Sequence, residues 1–200
     1  PMSIKLPLYI YKNTTIKFKK GSISFPKSMH SGAIKIGIRL SHFIDKHEET
    51  IFISDGKTEF KGNCTIGSGA KIAVSKKCRL SVGENFNVTG RFHVCCETGI
   101  RIGDNCMFSW DVTLIDTDYH PIKDENRRIL NAPRAISIGN HVWIGCNTMI
   151  LKGVNIPDNN IIAAGNIIRG SLSKSNSIFG TSNSDIKCFR ENITWTKGSF

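Results

Sequence analysis

The sequence predicts an all-β solenoid, a parallel β-helix, and three observations carry that prediction. The first is a period. From position 138 the chain runs ISIGNHVWIGCNTMILKGVNIPDNNIIAAGNIIRG, and isoleucine returns every sixth residue at Ile138, Ile144, Ile150, Ile156, Ile162 and Ile168. Six is neither the helical period nor the alternation of a single strand; it fits a short strand, a corner and the next short strand. The second is recurrence of the same phase upstream, at Phe60, Ile66, Ile72 and Cys78, then Val82, Val88 and Val94, then Ile102, Phe108 and Leu114, with slips between the sets. The third lies between the isoleucines. Gly139 and Gly145 follow two of them, where a corner profits from a missing Cβ, and Val142, Thr148, Val154, Asn160 and Asn166 stand two residues before each return. Three units close one coil whose apolar side chains share an axis. Each coil pairs its backbone with its neighbours, so several are needed for stability.

Along the chain, residues 1–50 read as an irregular, β-rich start or cap, with LPLYIY and AIKIGIRL as its strand-like pieces. Residues 51–170 carry the β-helix. Within them, 120–137 (HPIKDENRRILNAPRAIS) lose the sixfold return and hold two prolines and six charged side chains, the pattern of a loop thrown out of the coil. Such a loop in a compact repeat is more often functional than idle. Residues 171–200 are rich in Ser, Asn and Lys without a repeat and read as a C-terminal extension.

Composition limits the function classes. Two hundred residues with 40% hydrophobic and 22% charged content suit one globular domain. No apolar run nears the roughly 20 residues of a membrane-spanning helix, and the Pro-broken N-terminal stretch is no export signal, so a cytoplasmic location is expected. Seven cysteines, an odd number without a C-x-x-C, point to reduced thiols rather than a disulfide framework. A net charge of +11 asks for an anionic partner. The basic residues form no block longer than two and no stripe interleaved with aromatics, so nucleic acid is not expected. A phosphorylated cofactor or an acidic sugar fits equally.

The segment 138–169, the preceding loop, the string LIDTDYHPI at 114–122, IGDN at 102–105 and IGNHVWIG at 138–145 together resemble the hexapeptide-repeat acyltransferases, with O-acetyltransferases of the galactoside, maltose and cell-surface polysaccharide type most alike. The resemblance covers roughly residues 60–170 by phase. It implies a left-handed parallel β-helix, a homotrimer, and acetyl-CoA bound in the groove between subunits, with a saccharide hydroxyl as acceptor and no metal. The handedness comes from the resemblance alone, since parallel crossovers generally favour the right hand. N-acetylation of an amino-sugar nucleotide, or of a small xenobiotic, is the alternative on the same scaffold. A zinc hydrase on this solenoid needs three histidines, two of them five residues apart, and only His42 and His47 offer that spacing. A purely structural solenoid would show flat Thr-x-Thr rows, which are absent.

Acetyl transfer from a thioester to a hydroxyl needs a base that then protonates the leaving thiolate, and imidazole suits both tasks near neutrality. The family's histidine opens the projecting loop in a string that Tyr119-His120-Pro121 matches, which makes His120 the candidate base. Backbone amides near the cleft would hold the oxyanion. Asp118, ahead of Asp116, is the candidate to orient the imidazole; solvated or turn-forming carboxylates are the other reading of both. Trp143 stands where related polysialic acid enzymes place a tryptophan at the acetyl end of the cleft, with packing between subunits as the other reading. Cys146 falls beside the expected pantetheine, and without a neighbouring His or Lys direct transfer is preferred over a cysteine intermediate. Ala163, Ala164 and Gly165 are small enough to lie under the cofactor arm, and Arg169, Lys187 and Arg190 are candidates for its phosphates. At Lys187 the family's Gly-x-Pro reads Gly180-Thr181-Ser182. On the acceptor side, the galactoside family's Asn and Asp fall on Thr89 and Glu97, so a simple galactoside is disfavoured. Arg127, Arg128 and Arg134 are candidates to meet an acidic sugar, or form a solvated loop face.

Overall fold

The computed structural model describes residues 6–42, 44–45, 47–182 and 185–197, and every regular element among them is a strand. The chain passes through three sheets in rotation. The first coil is β1 (Leu8–Ile10), β2 (Thr14–Phe18) and β3 (Ile23–Ser24); the second is β4 (Ile34–Ile38), β5 (Thr50–Ser54) and β6 (Lys57–Phe60). Then come β7 (Cys64–Gly67), β8 (Lys71–Val74) and β9 (Arg79–Val82), followed by β10 (Phe86–Gly90), β11 (His93–Cys96) and β12 (Ile100–Ile102). The fifth coil is β13 (Met107–Trp110), β14 (Thr113–Ile115) and β15 (Ile136–Ile138), and the sixth β16 (Trp143–Ile144), β17 (Met149–Leu151) and β18 (Asn155–Ile156). β19 (Ile161–Ile162), β20 (Ile167–Ile168), β21 (Ile178–Ser182) and β22 (Asp185–Arg190) finish the stack. The first strand of each coil builds sheet A, the second sheet B and the third sheet C, all in parallel. β22 departs from this rule. It folds antiparallel onto β21 and covers the last edge of sheet A, which would otherwise present unpaired backbone.

The sixfold phase is the core. Ile66, Val88, Phe108, Ile144 and Ile162 stack in register down sheet A; Ile72, Val94, Leu114, Ile150 and Ile168 do so down sheet B. Phe60, Val82, Ile102, Ile138 and Ile156 form the third ladder. All are buried. At about 25 cal/mol per Å² of apolar surface, each such side chain contributes roughly 2 kcal/mol before chain entropy is set against it. Phenylalanines widen the middle coils, where Phe86, Phe92 and Phe108 meet, the Phe86–Phe108 rings edge to face at 5.0 Å.

The slips in the sequence are corner insertions. Ile144 pairs with Ile162, eighteen residues on, whereas Ile66 pairs with Val88 after twenty-two and Phe108 with Ile144 after thirty-six. The longest of these coils is one ordinary coil plus the loop between β14 and β15. Residues 8–38 supply the first strands of the same three sheets, so the coils reach further towards the N-terminus than the sixfold spacing indicates.

Corners turn through left-handed backbone. Between sheets C and A the turning residues are Asn85, Asn105, His141, Asn159 and Asn176, all at φ between 53° and 59°. Asparagine tolerates this region better than most side chains and bonds along the column. Asn85 Nδ2 donates to Asn105 Oδ1 at 3.2 Å, and His141 Nδ1 lies 3.0 Å from Asn159 Oδ1. Asn160 and Asn166 do different work. Both are buried, and their amides satisfy corner backbone groups, Asn160 donating to Lys174 O at 2.7 Å and accepting from Ser177 N at 2.9 Å. These two polar returns are therefore clamps on the coil rather than gaps in the core.

Ile150 lies fully buried between Leu114 and Ile168. Replacing it by valine is expected to cost about 1 kcal/mol, lowering the melting temperature by roughly 3 °C, which thermal denaturation will read.

Candidate functional site

The loop leaves the solenoid at the corner between sheets B and C, directly after β14, and its base is built by carboxylates. Asp116 is completely buried. Its Oδ1 accepts the Glu97 N–H and its Oδ2 the Thr98 and Gly99 N–H groups, each at 2.8 Å. Three amides aimed at one carboxylate fix the loop's first residue to the corner of the preceding coil. Asp116 is thus a corner anchor.

Asp118 is exposed and held from outside the loop. Lys152 Nζ, from the corner after β17, ion-pairs with Asp118 Oδ2 and donates to Asn131 O at 2.8 Å, while Asn131 Nδ2 donates to Asp118 Oδ2 at 2.8 Å and to His120 O at 2.9 Å. The Lys152 bond, then the Asn131 bond, hold the Asp118 carboxyl below its usual range. Asp118 reaches His120 only through backbone, His120 N donating to Asp118 O at 2.6 Å. The expected bond between the Asp118 carboxylate and the His120 ring is not made within one chain, because Lys152 and Asn131 occupy that carboxylate. A carboxyl depressed in the folded chain contributes above the ordinary value of about 3.9 and loses that contribution as pH falls through the depressed one. The clasp is therefore complete at neutral pH and opens only in acid. In Lys152→Ala the Asp118 titration, followed by NMR, is expected to move up towards the ordinary range; an unchanged midpoint would contradict the clasp.

Asp118, Tyr119, His120, Ile129, Asn131 and Pro133 line a cleft of about 100 Å³. His120 is exposed at its mouth, and among the described residues nothing hydrogen-bonds its ring. Tyr119 turns the chain at φ 59°, and the neighbouring Cys95 thiol, with desolvation, pushes its phenol up. Beyond the cleft the loop closes on itself. Leu130 N donates to Ile122 O at 2.8 Å, Lys123 bridges Ile129, and Arg128 pairs with Asp124 at 2.8 Å.

The other candidates scatter over the solenoid. Glu97 lies one coil below the loop, its carboxylate taken by the Ser75 hydroxyl. Arg127 and Arg128 sit at the loop tip, outside the cleft lining, and Arg128 is already paired with Asp124. Cys146 at the corner between sheets A and B and Ala164 one coil above it share one edge, whereas Trp143 stands in sheet A towards the C/A corner that His141 turns. The packing there is close: a Cβ on Gly145 would lie 2.6 Å from Ala164 N, and Gly165 N donates to Cys146 O at 2.8 Å. Trp143 Nε1 is buried without a hydrogen-bond partner, and its ring lies 6.1 Å from Trp195. Arg169 follows β20 at the B/C corner, and Lys187 lies exposed in β22, opposite Gly180. In a three-sided prism the B/C corner is the edge opposite sheet A. One chain therefore separates His120 from Trp143.

Sequence reading missed Asn131, Lys152 and Cys95 as partners of the loop. Each meets it from another coil or the far end of the loop, and no local pattern marks such a contact. Among the described residues no three His, Cys, Asp or Glu side chains gather into a metal-ligating group, and no helix is long and apolar enough to cross a membrane.

Three parallel sheets in rotation, a sixfold core ladder and a loop opening on a histidine define a parallel β-helix, and the chain resembles the hexapeptide-repeat acyltransferases, whose β-helix is left-handed. No family model matches the chain. It is 34% identical to the galactoside O-acetyltransferase of Escherichia coli strain K12 over 111 residues, covering 52% of this chain and 53% of that protein. It is 32% identical to the polysialic acid O-acetyltransferase of Neisseria meningitidis over 105 residues, covering 52% and 46%. The chain thus spans about half the length of these curated relatives. The crystal structure of the polySia specific acetyltransferase NeuO superposes with a TM-score of 0.60 over 96% of this chain and 90% of that one, at 21% identity, a likeness in fold.

Proposed function

We propose that this protein is an acetyl-CoA-dependent O-acetyltransferase acting on a saccharide hydroxyl, in the modification of a cell-surface polysaccharide. The observation that carries the reading is His120, exposed at the mouth of a cleft and presented by a loop that Asp116, Lys152 and Asn131 hold rigid, in a chain similar to two named sugar O-acetyltransferases. The acceptor oxygen attacks the thioester carbonyl while His120 takes its proton. The new C–O bond forms, the C–S bond breaks, and the imidazolium returns the proton to the thiolate, leaving an ester and free CoA. Orientation of the two reactants supplies much of the gain.

Trp143, Cys146 and Ala164 then serve acetyl-CoA from a neighbouring copy, since one chain holds none of them at the B/C corner that carries His120. Arg169 and Lys187 are the proposed phosphate contacts, and Glu97, Arg127 and Arg128 the proposed acceptor contacts. A homotrimer is supported by apolar surface that a single chain leaves open. Met149 and Ile167 stack on the outside of sheet B, and Ile122, Ile129 and Leu130 stand out on the loop. The Asp118 role becomes positional: it sets the His120 backbone while its own carboxylate anchors the loop.

The test is release of free thiol from acetyl-CoA against acidic and neutral oligosaccharides. Acceptor-dependent release on one class is expected. Absence of release on every saccharide, with no rise in melting temperature on adding acetyl-CoA, would overturn the reading.

A further inference from the structure

The corner that carries the loop continues downward as a column in which every coil places a charged residue. Below residues 116–135 stand, coil by coil, Glu97 and Thr98, then Lys76 and Lys77, then Asp55 and Gly56, then Lys19 and Lys20. Adjacent coils are about 4.8 Å apart, so the Lys76–Lys77 pair lies roughly 10 Å and the Lys19–Lys20 pair roughly 20 Å below the coil that bears His120.

A cleft of about 220 Å³ opens among the lower coils, lined by Lys19, Lys20, Ser22, Asp55, Lys57 and Lys77 with glycine backbone between them. Four lysines face one carboxylate. Lys71, Lys152 and Lys174 elsewhere are paired with acids, but among the described residues Lys19, Lys20 and Lys77 make no ion pair. Lys57 Nζ donates to Gly21 O at 2.9 Å. A second observation is independent of the charge: Ser22 is 4% exposed, and its hydroxyl has no hydrogen-bond partner. A third is the backbone. Lys77 turns this corner at φ 66°, where other coils use Gly21 and Gly153. A long side chain in that region is uncommon and marks a position worth a functional question.

We infer that this lower cleft is an anion site holding the distal, carboxylate-bearing part of an acidic saccharide chain whose reacting hydroxyl lies at His120. The alignment with His120 rests on the acyltransferase reading; the anion site rests on the cleft itself. Lysines act as mobile point charges and suit a flexible chain of repeated carboxylates, where arginine forks would demand fixed geometry. No aromatic ring is among the lining residues, so the stacking platform of a single-stranded nucleic acid site is missing.

The test compares the full chain with Lys19→Ala/Lys20→Ala/Lys77→Ala, using fluorescently labelled short and long sialic acid oligomers and single-stranded DNA. These lysines are exposed, and circular dichroism will show the fold retained. Direct binding of the long oligomer is expected to weaken about tenfold in the triple variant, with the short oligomer unaffected. In turnover, KM for the long acceptor rises in step while kcat holds. Equal long-oligomer binding by both proteins overturns the inference, even where acetyl transfer to the short acceptor proceeds. Lysine-dependent binding without transfer to any acceptor supports the anion site and overturns the enzyme reading. Tighter lysine-dependent binding of the DNA overturns the saccharide assignment.

Discussion

His120→Ala is expected to lower kcat for acetyl transfer by about 10²- to 10⁴-fold, the usual contribution of a positioned general base. The KM for acetyl-CoA should change little, because the cofactor candidates Trp143, Cys146 and Ala164 stand away from the B/C corner that carries His120. The fold should not change either. The His120 side chain is exposed, and its backbone bonds to Asp118 and Asn131 do not need the imidazole. Steady-state kinetics of thiol release on wild type and variant check this. A variant within a few-fold of wild type would move the base elsewhere.

Asp116→Ala should cost the fold more than any surface change, about 3 kcal/mol, because three amide donors lose a charged acceptor together. For a chain of this size that is a fall in melting temperature of roughly 10 °C. Asp116→Asn is expected to recover only part of it, since the amide NH₂ would face a backbone N–H. Activity should fall in both, through loss of the loop's anchor rather than of a chemical group. Thermal denaturation separates the two readings. A melting temperature within about 2 °C of wild type would remove the anchoring role.

The contrast between these two residues shows what the sequence makes legible. The core ladder could be read outright, because Ile138 to Ile168 repeat at a fixed interval and each return lands in register on the coil below. The position of His120 was legible through its string. The work of Asp116 was not, since its three donors lie seventeen to nineteen residues earlier and meet it only when one coil is stacked on the next. The Asp118–Lys152 pair spans thirty-four residues and the Trp195–His141 hydrogen bond fifty-four, for the same reason. The coils in residues 1–50 were hidden differently: their corner insertions bring Ile36 onto Ile66 only after thirty residues, and a sixfold template breaks at each insertion. A repeat written in apolar side chains is visible in sequence. One written in hydrogen bonds between coils appears only when the stack is built.

The central claim is transfer of an acetyl group from acetyl-CoA to a saccharide oxygen. The most direct measurement uses acetyl-CoA labelled with ¹³C in its acetyl group and follows the label by NMR in the presence of an acidic oligosaccharide. The account predicts an O-acetyl ester on the sugar, equal in amount to the free thiol released and absent with His120→Ala. Label appearing as an amide on an amino sugar, or thiol released with no ester on the saccharide, would contradict it.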